Sequence, residues 1–391
     1  MIPPLTCEEA EGQARQALAA NDPARAEALV RAFLGAGQGA PVAIWSLLVL
    51  ALRRQGRFAE ARPIQEMLVD HLPSNLDLRF DLAETLLQLG EFERGWREYH
   101  YRYDLVHTVA LARKVQRPRW DGRAMAGKTL LIHDEQGFGD TFQFIRLVPW
   151  AKRKSGARLV LQINADQESF ARRIPGIDQI IRRGELPPPF DMHCEMMSLP
   201  MALGLRLADL PGEMPYLAAD PKRLRRWRDR LARLPRPIVA LVWAGRPNHA
   251  NDANRSMSLS TLAPLAEAGG GSFISIQKGP KAAEAETPPP GLTLTNLDRE
   301  IADFDDTAAI LRVADLLISV DSSPVHLAGG LNRPAWVMLP YIGEWRWLTE
   351  REDSPWYPSL RLFRQDRPGD WGGVVRRLAA ALRELPTGAR R

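Results

Sequence analysis

Twice in this chain an apolar, strand-like run ends in a short loop of small and acidic residues and passes directly into a helix-like run. The first is Thr129–Leu147, TLLIHDEQGFGDTFQFIRL, and the second is Leu316–Leu331, LLISVDSSPVHLAGGL. A strand feeding a helix in this way returns to its sheet as a right-handed parallel crossover, so two such units point to α/β architecture. In the first unit Gly137 and Gly139 let the backbone come close to a ligand without Cβ interference. Asp140 falls where a helix N-cap belongs, which turns its carboxylate toward the mouth of a cleft. Two readings fit. One is a tight turn whose acid caps the helix, the other a substrate loop whose acid takes a proton, and a two-glycine loop does not separate them.

In the second unit Asp321 ends the strand, Ser322 and Ser323 are good N-cap residues, and Pro324 suits the first helical turn. The N–H groups and positive end of such a helix make a ready site for a diphosphate. His326 lies about one turn beyond Ser322 and shares its side of the helix. Gly329 and Gly330 allow close approach of neighbouring backbone. Plain capping by Asp321 and the serines, with His326 as a packed core histidine, is the alternative.

Between and around these units strands and helices alternate. Strands are expected at Arg158–Ile163, Ile238–Val242, Ser272–Ile276 and Ala335–Leu339, and helices over Ala302–Val313 and Trp371–Leu385. A first helix is expected to run through Trp150. Leu224, Trp227, Leu231 and Leu234 form an apolar stripe opposite a basic face, read as a solvated surface near a linker or as a contact with anionic lipid. The pattern restarts near residue 236, giving one α/β domain over 106–235 and a second over 236–391 with a cleft between them. Ala244–Met257 is a long polar loop directly after a strand, and loops of that length are often functional. Arg255 near its end and Lys278 after the next strand are candidates to neutralise a departing phosphate without a metal.

Residues 1–105 read as helical and repeat. Gly56-Arg57-Phe58 recurs 34 residues later as Gly90-Glu91-Phe92, and Asn21-Asp22-Pro23 is a weaker copy 35 residues before the first. Each full copy follows an apolar helix-like segment, and Pro73 closes the middle unit. This period with a glycine turn resembles tetratricopeptide repeats, which stack into a curved array. Such an array serves as a structural cap or as a docking surface for a protein partner or acceptor.

The 391 residues carry a net charge of +5, with 45% hydrophobic and 25% charged residues. That is an ordinary globular composition, too mildly basic to imply nucleic acid. Cys7 and Cys194 have neither metal-ligand spacing nor a disulfide framework, which fits a reducing compartment. The acidic start MIPPLTCEEAEGQ lacks the basic and apolar regions of a signal peptide. Phe142 stands where the dinucleotide fingerprint needs its third glycine, no Gly-Lys-Ser/Thr follows a glycine loop, and no HExxH-like spacing indicates a catalytic metal.

Five segments together resemble a known group: EQGFGDTFQFIR, LVWAGRPNHANDANRSMSL, DFDDTAAIL, ISVDSSPVHLAGGLNRPAWVMLP and EWRWLTEREDSPWYPSLRLFRQ. They are similar to bacterial tetratricopeptide-repeat proteins that carry a family 9, heptosyltransferase-like glycosyltransferase domain. The resemblance covers the repeats and nearly all of 117–385. It implies a GT-B fold of two facing Rossmann-like domains after an all-α repeat region. It also implies inverting, metal-independent transfer from a nucleotide-sugar, with no cofactor, to a hydroxyl on a surface glycan or polypeptide. Carried over by motif, Asp140 matches the general base and Gly137 and Gly139 the acceptor-side turn. Arg255 falls near a phosphate-facing cation, and Asp321, Ser322, Ser323 and His326 match the donor diphosphate segment. Ser322 replaces the usual threonine, and Pro324 removes one N–H. Trp345, Trp347 and Trp356 fit a stacking role along the cleft or plain core packing. The implied location is cytoplasmic, including the inner face of a membrane with at most peripheral contact. The rival readings are a repeat adaptor that has lost activity and a sugar-nucleotide epimerase.

Overall fold

Asn21, Gly56 and Gly90 all adopt positive φ (58°, 76° and 80°), and each closes a helix at the same place in the repeat. The left-handed conformation stops one helix and turns the chain into the next, which favours Gly or Asn there. In this computed structural model, which describes residues 5–37, 39–105, 117–249, 251–269 and 271–385, the turns separate six helices. These are α1 (Cys7–Ala19), α2 (Pro23–Gly35), α3 (Val42–Arg54), α4 (Phe58–His71), α5 (Leu76–Gln88) and α6 (Phe92–Tyr99). Each packs on its neighbour in sequence around a core that includes Ala14, Val30, Leu48, Leu52, Leu68 and Leu82. Ion pairs spaced about one repeat apart tie the units together: Arg57 to Glu27 at 2.5 Å, Arg53 to Asp81 at 2.9 Å, and Arg62 to Glu91.

The described residues fall into two compact units. The helical unit takes in residues up to 105 and also Ile342–Glu350, a segment distant in sequence. Trp345 of that segment packs edge-on against Trp96 at 5.1 Å and near Tyr99, and Gln88 Nε2 donates to the Leu348 carbonyl at 2.8 Å. Trp345 and Trp347 are thus buried core residues of the helical unit. Of their two expected roles, packing is the one observed. Residues 106–116, the start of the first expected α/β domain, lie outside the described residues.

The second unit holds two all-parallel sheets. In the first, the strands are β1 (Thr129–His133), β2 (Arg158–Ile163), β3 (Gln179–Arg182) and β4 (Met192–Glu195), ordered β3-β2-β1-β4. Its helices are α7 (Phe138–Phe144), α8 (Val148–Ser155), α9 (Glu168–Ala171) and α10 (Leu199–Leu203). The single expected helix through Trp150 is two: a tight turn at Ile145–Leu147 interrupts it, and the chain runs on to Ser155, where Gly156 at φ 64° ends it. After α11 (Pro221–Leu231) the second sheet is formed by β5 (Ile238–Val242), β6 (Ser272–Ser275), β7 (Leu294–Asn296), β8 (Leu316–Val320), β9 (Ala335–Leu339) and β10 (Leu360–Arg364). Their order is β10-β9-β8-β5-β6-β7. The helices here are α12 (Asp252–Arg255), α13 (Phe304–Val313), α14 (Ser323–Gly330) and α15 (Trp371–Arg383). All five residues of β5, of β8 and of β9 are buried, as strands covered on both faces require.

Strands β3, β4, β7 and β10 go beyond those expected from sequence. The first three are three or four residues long, and β4 (MHCE) carries a histidine and a glutamate that mask it as a buried strand. Helix α11 buries Trp227 and Leu231 and leaves Lys222, Arg225, Arg228 and Asp229 exposed, the solvated surface of the two expected readings, while three of its arginines are held by acids. Arg223, Arg226 and Arg230 pair with Asp303, Asp306 and Glu300, and Trp227 Nε1 donates to Asp306 at 2.8 Å.

Candidate functional site

In an open parallel sheet, ligands bind beyond the carboxyl ends of the strands where the strand order reverses. In the first sheet that reversal falls between β1 and β4, and in the second between β5 and β8. The loops leaving β1, β5 and β8, with the first helical turn after each, carry Gly137–Asp140, Arg255 and Asp321–Ser323 respectively. The topology therefore aims most of the sequence-derived candidates at the two switch points.

Helices α7 and α14 pack directly on one another. A Cβ built on Gly139 would lie 2.8 Å from His326 Cδ2 and 3.6 Å from Ser323 Cα, so the glycine turn touches the start of the opposite helix. Asp140, half-buried, accepts a hydrogen bond from the Gly137 amide at 2.7 Å. The N-cap of α7 is thus Gly137 and not Asp140, as the sequence led one to expect: Asp140 stands three residues later, in the first helical turn, and its carboxylate reaches back to the N-cap amide. The other two acids of this loop are structural. Asp134 accepts from the Asn164 amide and pairs with Arg183, and Glu135 accepts from the Met197 amide; both are buried. Gln136 between them and the turn has φ 56°, a conformation that costs a non-glycine residue energy.

His326 shares a 2.9 Å hydrogen bond through Nδ1 with Tyr357 Oη, and its Nε2 lies 3.9 Å from Asp321 Oδ1. Tyr357 is fully buried, which fixes the ring. Gly329 is needed for this contact, since a Cβ there would meet the Tyr357 ring at 2.3 Å; Gly330 likewise faces Leu217 at 2.5 Å. The two glycines thus make room for side chains rather than for neighbouring backbone alone. Ser322 Oγ contacts Ser319 Oγ and the Val320 carbonyl, both at 3.1 Å, and does not cap α14. Ser323 opens the helix.

Arg255 Nη1 donates to the Asp321 carbonyl at 3.0 Å, and its Nε lies 3.3 Å from Asp252. The loop after β5 is thereby fastened to the end of β8. His249, in the same loop, accepts from the Asn251 amide through Nδ1. Desolvation and then the Arg255 charge push its imidazole below the ordinary value of 6.5, against the pull of Asp321, Asp140 and Asp252. Asp140, His249, Arg255, Asp321 and His326 form one cluster. Lys278 is engaged elsewhere: its ammonium binds the Asp298 carboxylate and carbonyl, both at 2.8 Å, and the Ile301 carbonyl.

Sequence reasoning missed His249, Arg246 and Tyr357. The first two lie in the long polar loop Ala244–Met257, of which the sequence points only to Arg255. Arg246 stands 5.5 Å from the Phe138 ring centroid and, with Arg183, Asn164 and Gln167, lines a polar pocket of about 110 Å³ beside Gly137. Trp356 packs edge-on against Phe144 at 5.7 Å and is fully buried, so it is a core residue.

A second polar cluster lies at the ends of β1 and β4. His133 Nε2 is 3.1 Å from His193 Nδ1, His193 Nδ1 is 3.7 Å from Glu195 Oε1, and Arg119 Nε donates to Glu195 at 3.0 and 3.2 Å. Burial holds the His193 ring below its ordinary pKa despite Glu195. Burial opposes the charge on Glu195, but His133, Arg119 and His193 together outweigh it and keep the carboxyl low. No spacing motif could have revealed this group, whose members lie 60 residues apart on neighbouring strands.

No family model matches the chain. It is similar to protein FlbA of Caulobacter vibrioides, 28% identical over 336 residues, which cover 79% of this chain and 55% of that protein. The chain thus spans just over half the length of that curated relative. Among solved structures, the family 9 glycosyl transferase of Veillonella parvula aligns with 67% of this chain and 99% of its own, at 10% identity and TM-score 0.49. The ADP-heptose lipopolysaccharide heptosyltransferase II of E. coli aligns with 65% and 98%, at 13% identity and TM-score 0.46. No helix among the described residues is long and apolar enough to cross a membrane.

Proposed function

We propose that the chain is a metal-independent, inverting glycosyltransferase of GT-B type that moves a sugar from a nucleotide-sugar to a hydroxyl on a glycan or polypeptide. One observation carries this reading: the Gly139 backbone lies against His326, which puts the Asp140 turn and the Asp321–His326 segment at a single place. In this reading the acceptor oxygen attacks the anomeric carbon as its proton passes to the Asp140 carboxylate. The bond to the diphosphate breaks on the opposite face, so configuration inverts. Arg255, fixed by the Asp321 carbonyl, and the N-terminal turn of α14 oppose the charge that builds on the departing diphosphate. Ser322, Ser323 and His326 orient it. Lys278 has only an indirect part, through the 298–301 turn that it binds.

The helical unit, read as tetratricopeptide-like, docks the acceptor or a protein partner. The reading places the protein in the cytoplasm, in glycan or lipopolysaccharide assembly, with no organic cofactor. The test separates the two roles of Asp140. Asp140→Asn keeps an oxygen to accept from the Gly137 amide but removes the base. It is expected to abolish transfer or donor hydrolysis over a panel of ADP-, UDP-, GDP- and CMP-sugars, including ADP-heptose, while leaving donor affinity within about twofold. Full turnover in that variant overturns the reading.

A further inference from the structure

His133, His193 and Glu195 are buried, face one another across β1 and β4, and have no part in the transfer site. In the pairing of the two strands Leu131 lies opposite His193 and His133 opposite Glu195, so all three ligand-bearing side chains stand on one face. Their nearest nitrogen and oxygen atoms all lie within 4.8 Å of one another. Two ligands about 2.0–2.1 Å from a tetrahedral ion are about 3.3 Å apart. The His133–His193 and His193–Glu195 separations of 3.1 and 3.7 Å bracket that value. We propose that His133 Nε2, His193 Nδ1 and Glu195 bind one divalent transition-metal ion of the zinc class, as a structural clamp between β1 and β4.

Two imidazoles and a carboxylate suit zinc and its neighbours better than calcium or magnesium, which prefer all-oxygen sites. The pocket is held from outside as a metal site needs. The His193 backbone is bonded on both sides to the 118–120 segment, its amide to the Pro118 carbonyl and its carbonyl to the Trp120 amide at 2.7 Å. Arg119 competes for Glu195, but its side chain is 39% exposed and can withdraw to solvent while the carboxylate turns a free lone pair to the ion. An ion here stiffens the ends of the two strands that flank the first switch point, where the loop to Asp140 begins. The ion is given no step in the transfer chemistry, and the proposal is independent of the glycosyltransferase reading.

The experiment uses the full chain, stripped with chelator, re-equilibrated with Zn²⁺ or Co²⁺, freed of excess by gel filtration and analysed by elemental mass spectrometry. One equivalent per chain is expected, with a Co²⁺ visible spectrum of low-coordinate type and a Zn²⁺-dependent rise in Tm. Glu195→Gln and His133→Asn are each expected to weaken binding by more than about 100-fold, beyond what loss of an outer contact does. Arg119→Ala is expected to tighten it several-fold, because a competitor for Glu195 is gone. Wild-type protein that retains no stoichiometric metal overturns the proposal, as does undiminished binding by the His133→Asn, Glu195→Gln double variant. Circular dichroism checks that the variants fold. Should they not, the wild-type stoichiometry and its reversal by chelator decide alone.

Discussion

Arg255 donates from Nη1 to the carbonyl oxygen of Asp321 at 3.0 Å, binding the loop after β5 to the end of β8. The guanidinium is only 13% exposed, so its position is set before any ligand arrives. Arg255→Ala is therefore expected to weaken nucleotide binding by about 1.5–3 kcal/mol, roughly 10- to 150-fold in Kd, the worth of a hydrogen bond to a charged group. Arg255→Lys is expected to recover little, since an ammonium cannot hold the Asp321 carbonyl and a phosphate in one planar fork. Isothermal titration with the nucleoside diphosphate that gives the strongest thermal shift reads both.

Gly139 and Gly137 are two residues apart but differ in surroundings. A Cβ on Gly139 meets the His326 ring at 2.8 Å, and that ring is braced by Tyr357. Gly139→Ala is expected to cost about 1–3 kcal/mol by overpacking and to shift His326 from its place, weakening donor binding as well. Gly137 has φ −93° and only Asp140 Oδ2 near, at 3.2 Å. Gly137→Ala is expected to cost about 0.5 kcal/mol, the usual difference at an N-cap. Urea denaturation of the two variants side by side tests the contrast.

Asp306, fully buried, accepts from the Trp227 indole at 2.8 Å, the Ala302 amide at 3.0 Å and Arg223 at 3.1 and 3.2 Å. Removing the carboxylate strands the indole and a guanidinium. Asp306→Ala is expected to destabilise the α/β unit by about 3–5 kcal/mol, and Asp306→Asn, which keeps one acceptor, by clearly less. Equal losses in chemical denaturation would show that hydrogen bonding to Asp306 is not what holds α11 to α13.

His249 yields a pH dependence with a definite sign. Its pKa in the free protein is below 6.5, so it is neutral at neutral pH. A nearby diphosphate favours the imidazolium and raises that pKa, so binding takes up a proton. Nucleotide affinity is expected to rise as pH falls below about 7, until the free protein is itself protonated. For folding the sign is opposite: a lowered folded pKa gives stability that is present above 6.5 and lost as pH falls through the folded value. His249→Asn is expected to flatten the affinity profile between pH 5.5 and 7.5, roughly the range in which histidine titrates. A slope unchanged in that variant would remove His249 from the diphosphate's surroundings.

Local periodicity and turn chemistry made much of the secondary structure legible. The 34-residue spacing of Gly56 and Gly90 and the apolar runs at β1, β2, β5, β8 and β9 are written in consecutive residues, and their backbone follows from neighbours only. The two strand–loop–helix units located the ends of β1 and β8 for the same reason. What consecutive residues could not specify is pairing. That Gly139 touches His326, that Arg255 reaches Asp321 and not Lys278, and that Trp345 packs on Trp96 depend on chain segments 66 to 249 residues apart, brought together by the burial of faces elsewhere. His133 and Glu195 show the limit most clearly. Each reads as a polar intrusion in an apolar strand, and only the parallel register of β1 with β4 turns the two into neighbours. Residue type and spacing along the chain determined which groups were available for chemistry. The register of the sheets, set by the hydrogen-bond ladder and by which faces had to be buried, decided which of them meet.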